Sequence, residues 1–216
     1  MNFQLFDKSY KCKFSDRSIL YYTSIMKKVV LDLETQKEFA EVGGRGKNHL
    51  LKISTCGIFE TATGKFSCYG ENEIPKLSEI LQNADQIIGF NIKDFDFEVL
   101  QPYLNFDIHS LPYLDIIQDV QRHLGHRVGL DSIAQGTLGT KKSGDGKQAI
   151  VLWRTGQMDK LKKYCLDDVK ITRDIYEYGL ANKKILYRDF FDMKEIPVDW
   201  VEPEPKPLMQ KQVSLF

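Results

Sequence analysis

The sequence predicts a mixed α/β fold in which three antiparallel strands come first, parallel strands follow, and helices flank the sheet. Three observations predict it. Alternating and β-branched runs crowd the first 70 residues, an amphipathic segment leads into a second buried run near residue 90, and the remainder is mainly helical in period.

The first strand is "KKVVLDLE", whose apolar residues are largely β-branched. "LLKISTCGIFE" and "GKFSCYG" alternate and meet at the turn-forming "TATG", so the three form an antiparallel meander. "NEIPKLSEILQNA" reads as a helix with Pro75 early and Ile74, Leu77, Ile80 and Leu81 on one face, and "QIIGF" as the buried strand after it. In "IIGFNIKDFDFEVL" a helix starts behind that strand, with Asn91 placed to cap it and Asp94 at its third position. The longest helix is "MDKLKKYCLDDVKITRDIYEYG", expected to stop at Gly179. "LGTKKSGDGKQ" between helices is a polar, locally basic surface loop, and "KILYRDFFDMKEIPVDW" suits a terminal hairpin.

These elements divide the chain in three. Residues 1–25 are an N-terminal extension ahead of Met26, residues 26–200 form the folded domain, and residues 201–216 form a Pro-rich flexible tail. At 216 residues and 42% hydrophobic content the chain can bury a proper core. Lys+Arg and Asp+Glu are both 30, so bulk charge supplies no electrostatic argument for nucleic acid, although binding phosphate through metal ions needs no strongly basic surface. Cys12, Cys56, Cys68 and Cys165 lie far apart, which suits reduced buried thiols rather than a zinc or redox site. No stretch approaches the ~18 apolar residues of a membrane span, and no signal peptide opens the chain, so a cytoplasmic location without membrane contact is expected.

The carboxylates carry the chemistry. Asp32 and Glu34 stand two apart on a strand, so both project from one face about 7 Å apart along the chain, a spacing that suits oxygen-ligated cations. Chance alone supplies about one such D-x-E pair in this composition, and a second does occur at Asp96 and Glu98. Asp96 is the better ligand of those two, because Glu98 points about 200° away around the helix. In the long helix, Leu161, Cys165, Val169, Thr172 and Ile175 form the core stripe, and Tyr164 and Asp168 are an i, i+4 pair at its edge. Asp167 is the rival to Asp168 but falls about 100° around the helix. His123 and His126 lack matching partners for zinc, and "EVGGRGKN" lacks the ending of a phosphate loop.

Taken in order, "LDLET", "IIGFNIKDFD" and "YCLDDVKIT" resemble the three motifs of the DEDD 3′-to-5′ exonucleases in their tyrosine-containing branch, above all the proofreading domain of family B DNA polymerases. That resemblance covers residues 28 to about 180 and implies a ribonuclease H-like fold. It also implies metal ligation by Asp32, Glu34, Asp96 and Asp168, with Tyr164 completing the catalytic set. Such sites use two Mg²⁺ or Mn²⁺ ions about 4 Å apart. A phenol with a pKa near 10 is a poor base at pH 7, so Tyr164 is expected to orient the attacking water.

The resemblance implies removal of nucleoside 5′-monophosphates from a single-stranded or frayed DNA 3′ end. RNA trimming and an inactive nucleic-acid-binding module are the alternatives. The terminal "QVSLF" resembles the bacterial sliding-clamp-binding pentapeptide, which implies polar contacts from Gln212 and pocket filling by Leu215 and Phe216.

Overall fold

The structure is a computed structural model that describes residues 26–140, 146–189 and 192–202. Its centre is a five-stranded sheet in the order β3-β2-β1-β4-β5, built from β1 (Lys28–Thr35), β2 (Ile53–Glu60), β3 (Lys65–Tyr69), β4 (Gln86–Gly89) and β5 (Tyr113–Asp115). β1 to β3 pair antiparallel, while β4 runs parallel to β1 and β5 runs parallel to β4. The expected meander followed by parallel strands is therefore present. β5 has only three residues and carries too little periodicity to be read ahead of the structure.

β1 is central and covered on both faces, which explains its unbroken apolar start. Its alternation assigns the faces. Val29, Leu31 and Leu33 pack with α1 (Ile74–Gln82) and α2 (Phe97–Leu100), whereas Val30 joins the opposite core of α3 (Ile116–Leu124), α4 (Leu130–Leu138) and α6 (Met158–Asn182). Asp32 and Glu34, in phase with Val30, fall on the α6 side. α5 (Gly146–Arg154) packs against α6 and reaches β1.

One glycine sets how closely α6 approaches. Gly57 on β2 lies opposite Asp32, and a Cβ there would come within 2.8 Å of the Cys165 sulfur and 3.1 Å of Val169. Its bare backbone lets α6 settle against the sheet beside Asp32.

The terminal hairpin is present as β6 (Lys184–Arg188) and β7 (Met193–Pro197). The long helix departs from expectation: it runs through Gly179 to Asn182, with Lys183 in the left-handed conformation as its cap. Gly179 is buried in the last turn of the helix, where a side chain would overlap the Trp200 ring. The glycine thus serves a tertiary contact rather than a helix stop. Trp200 stacks on Tyr176 and donates from Nε1 to Asp119 at 2.5 Å, which seats the end of the domain. Residues 1–25 and the "QVSLF" tail lie outside the described residues.

Candidate active site

Three carboxylates converge where β1 meets α6. Ligand oxygens of Asp32, Glu34 and Asp168 lie within 4.8 Å of one another. Asp168 is 0% exposed and Glu34 8%, so both belong to the interior rather than to an edge. At that spacing each ionised pair repels by about 3.5 kcal/mol at an effective dielectric of 20, which a bound cation would relieve. Asp167 points elsewhere, pairing with Lys163 at 2.6 Å on the outer face of the helix.

Asp96 reaches the same cleft from a different element. It ends a π-helical turn, Ile92–Asp96, closed by the Phe97 amide donating to the Ile92 carbonyl. Only 3% exposed, its carboxylate accepts from the Leu33 amide of β1 at 3.0 Å, which pins it between Asp32 and Glu34 in register. Burial, and next the neighbouring Asp32, push its carboxyl well above the usual range. The companion Glu98 is exposed and pairs with His109 at 3.2 Å.

What holds the turn is a residue that the motif reading passed over. Asn91 adopts a left-handed backbone and does not cap the turn; its side-chain oxygen accepts from Arg127 instead. Asp94 is exposed and pairs with Arg127 at 3.6 Å, so it too has no capping role. Asp115, at the end of β5, accepts from the Asn91 amide at 2.7 Å, the Lys93 amide at 3.0 Å and the Ile117 amide at 3.2 Å. One carboxylate therefore caps α3 and fastens the entry to the turn that carries Asp96. Its signal was present as an Asp directly before the apolar-periodic "IIQDV", a helix-capping pattern.

Tyr164 and Asp168, one turn apart on α6, are both buried and both lie outside the cleft lining; Tyr164, 5% exposed, packs with Ala149, Leu152 and Leu161 between α5 and α6.

The cleft has a volume of about 600 Å³. Asp32, Glu34 and Asp96 line one side; Lys37, Phe39 and Arg45 come from the connection after β1, Phe95 from the turn, and Lys147 and Ile150 from α5. The "EVGGRGKN" segment thus contributes Arg45, and the end of the polar "LGTKKSGDGKQ" segment contributes Lys147. Behind the acids, Cys165 donates to the Asp32 carbonyl at 3.4 Å. Burial, and then Asp32 and Glu34, push its thiol well up. The metal-suited cluster itself is made of carboxylate oxygens, a donor set that fits hard cations such as Mg²⁺ or Mn²⁺. His123 and His126 contact the Asp119 and Leu124 carbonyls through Nδ1 and, among the described residues, join no metal-suited cluster.

A family model described as the RNase H superfamily matches residues 49–179, more than half of the chain. The match takes in Asp96, Tyr164 and Asp168, while Asp32 and Glu34 precede it. No curated protein matches the chain.

Proposed function

The chain belongs to the RNase H superfamily, and from that premise we propose that it is a metal-dependent 3′-to-5′ exonuclease that releases nucleoside 5′-monophosphates from single-stranded or frayed DNA. The observation that carries this reading is the convergence of Asp32, Glu34 and Asp168 within 4.8 Å, with Asp96 on the same cleft. Asp32, Glu34, Asp96 and Asp168 would hold two Mg²⁺ or Mn²⁺ ions. When bound, such ions activate a water and stabilise the departing 3′ oxygen.

The chain's own groups do the rest. Lys37 and Lys147 bring positive charge to the cleft that the substrate phosphate would enter. Leu33, through its amide, fixes the Asp96 carboxylate against β1. Tyr164, one turn before Asp168 on the same helix, is assigned to orienting the attacking water. Cys165 and Cys56 are fully buried, and Cys165 packs directly behind Asp32. For the tail, the likeness of "QVSLF" to the bacterial clamp-binding pentapeptide supports tethering to a sliding clamp through Gln212, Leu215 and Phe216, which would raise the local concentration of the nuclease at DNA.

The test is a time course on 5′-labelled single-stranded DNA and RNA with Mg²⁺ or Mn²⁺, comparing wild type with Asp32→Ala and Asp168→Ala. A ladder shortening from the 3′ end, faster on DNA and lost in both variants, is expected; a ladder unchanged by both substitutions refutes the assignment. Faster loss of RNA would assign the enzyme to RNA trimming. Deleting residues 212–216 should abolish binding to a bacterial clamp and leave activity on short oligonucleotides intact.

A further inference from the structure

The acidic cleft does not end at its metal-suited cluster. A second groove of about 600 Å³ adjoins it, and the two share Phe39, Arg45 and Phe95 as common wall. Beyond that wall the groove is lined by Asn91, Asp94 and Arg127. The shared wall is aromatic: Phe39 and Phe95 meet edge to face with ring centroids 6.0 Å apart, and both remain partly exposed. An exposed guanidinium lies over one of these rings, Arg45 over Phe39 at 5.7 Å. A second exposed guanidinium, Arg127, stands at the far side, oriented by donating to the Asn91 side chain. Its pairing with Asp94 is loose, at 3.6 Å with both side chains largely in solvent, so that contact leaves most of the guanidinium's five donors to a stronger anion.

We propose that this groove holds the nucleotides preceding the scissile one, with Arg45 and Arg127 contacting successive backbone phosphates and Phe39 offering a stacking face to a base. The proposal rests on the exonuclease reading of the cleft and extends it to the path of the strand. A net charge of zero had made bulk electrostatics silent; the groove concentrates cations and aromatic faces in the combination that single-stranded nucleic acid selects. A single strand fits better than a duplex, because the aromatic wall can act only on an unpaired base. Arg45 sits between Gly44 and Gly46, both with left-handed backbone, at φ 105° and 89°. That local geometry presents its side chain from a turn that few other residue types could form.

The experiment measures binding of 5′-fluorescein-labelled dT12 and rU12 to the full chain by anisotropy in EDTA, where no hydrolysis occurs, across a series of salt concentrations. Arg45→Gln and Arg127→Gln should each weaken binding several-fold and each reduce the slope of log affinity against log salt by about 0.7, the value for one phosphate contact on a single strand. Losses should be equal on the two polymers, since phosphate contacts carry no information about the sugar. Lys194→Gln, on the β6–β7 hairpin, removes the same charge away from the groove and should leave the slope unchanged. Thermal melts of each variant separate lost contacts from lost fold. Unchanged slopes in both arginine variants, in proteins that melt normally, overturn the groove. Because the assay is blind to catalysis, failure of the nuclease assay with the slopes still moving would overturn the exonuclease reading alone.

Discussion

The ends of β4 and β5 make an instructive pair. Each parallel strand leads to an aspartate that is almost fully buried, Asp96 at 3% exposure and Asp115 at 4%, and in both cases burial raises the carboxyl's pKa. Asp115 faces backbone, accepting three amides that lock the turn and the helix around it. Asp96 accepts one amide from β1 and otherwise faces the cleft and Asp32. The same side chain, one at the end of β5 and one in the turn that follows β4, thus fastens backbone in one place and faces an acidic cleft in the other, and the number of amides aimed at it makes the difference.

Substitution should separate the two most sharply at Asp96. Asp96→Ala, like Asp32→Ala, is expected to lower metal-dependent turnover by about 10³-fold or more, equivalent to the several kcal/mol that metal ions contribute to such reactions. Stability measured without metal should fall less than in the Asp115 variant, because relief of a buried carboxyl beside Asp32 offsets the loss of an acceptor that serves one amide rather than three. A variant that loses fold along with activity would erase the distinction between the two aspartates.

Asp115→Asn should show the converse. Replacing an acceptor that serves three amides should cost about 2 kcal/mol of stability in urea unfolding. The turn would loosen and metal affinity at Asp96 would fall about 10- to 100-fold, as for other residues that orient ligands. The pH dependence follows from the sign of the shift. Burial outweighs the three amides and lifts Asp115 above its ordinary value of 3.8, so the folded state binds this proton more tightly than the unfolded chain. Its contribution is fully present below 3.8 and is lost as pH rises through the lifted value. The wild-type urea midpoint should therefore fall across the window just above 3.8 more steeply than that of Asp115→Asn; a shallower wild-type slope contradicts the assignment.

A smaller effect is expected at Tyr164. Tyr164→Phe keeps the ring packed between α5 and α6, so stability should change by no more than about 1 kcal/mol, while loss of the phenol should reduce kcat about tenfold. A stability loss with kcat intact would instead assign Tyr164 to helix packing. The smallest effect belongs to Glu98→Ala. It removes an exposed pair with His109, shifts stability by under about 0.5 kcal/mol and leaves kcat unchanged.

The contrast also explains what could be read in advance. β1 to β4, α1 and most of α6 follow from periods of two and 3.6 within one segment, and helix angle together with the i, i+4 pairing to Tyr164 distinguishes Asp168, which is fully buried, from Asp167, which pairs with Lys163. The turn at Asn91 was misassigned because its anchor, Asp115, lies 24 residues downstream on a three-residue strand. Gly179 misled for the same reason: its constraint is Trp200, packed from beyond the hairpin. Local pattern identified the carboxylates, and tertiary contacts decided how each is held.

The last described residues have a consequence for the central strand. Glu202 pairs with Lys28, the first residue of β1, at 2.5 Å, whereas Asp32 and Glu34 lie four to six residues further along that strand. At about 3.3 Å per residue the chain therefore departs roughly 13–20 Å from the acidic cluster, at the opposite end of the central strand. The Glu202–Lys28 pair thus closes the described domain at the end of β1 that faces away from the acids, so the central strand is fastened at one end while its other end carries the carboxylates.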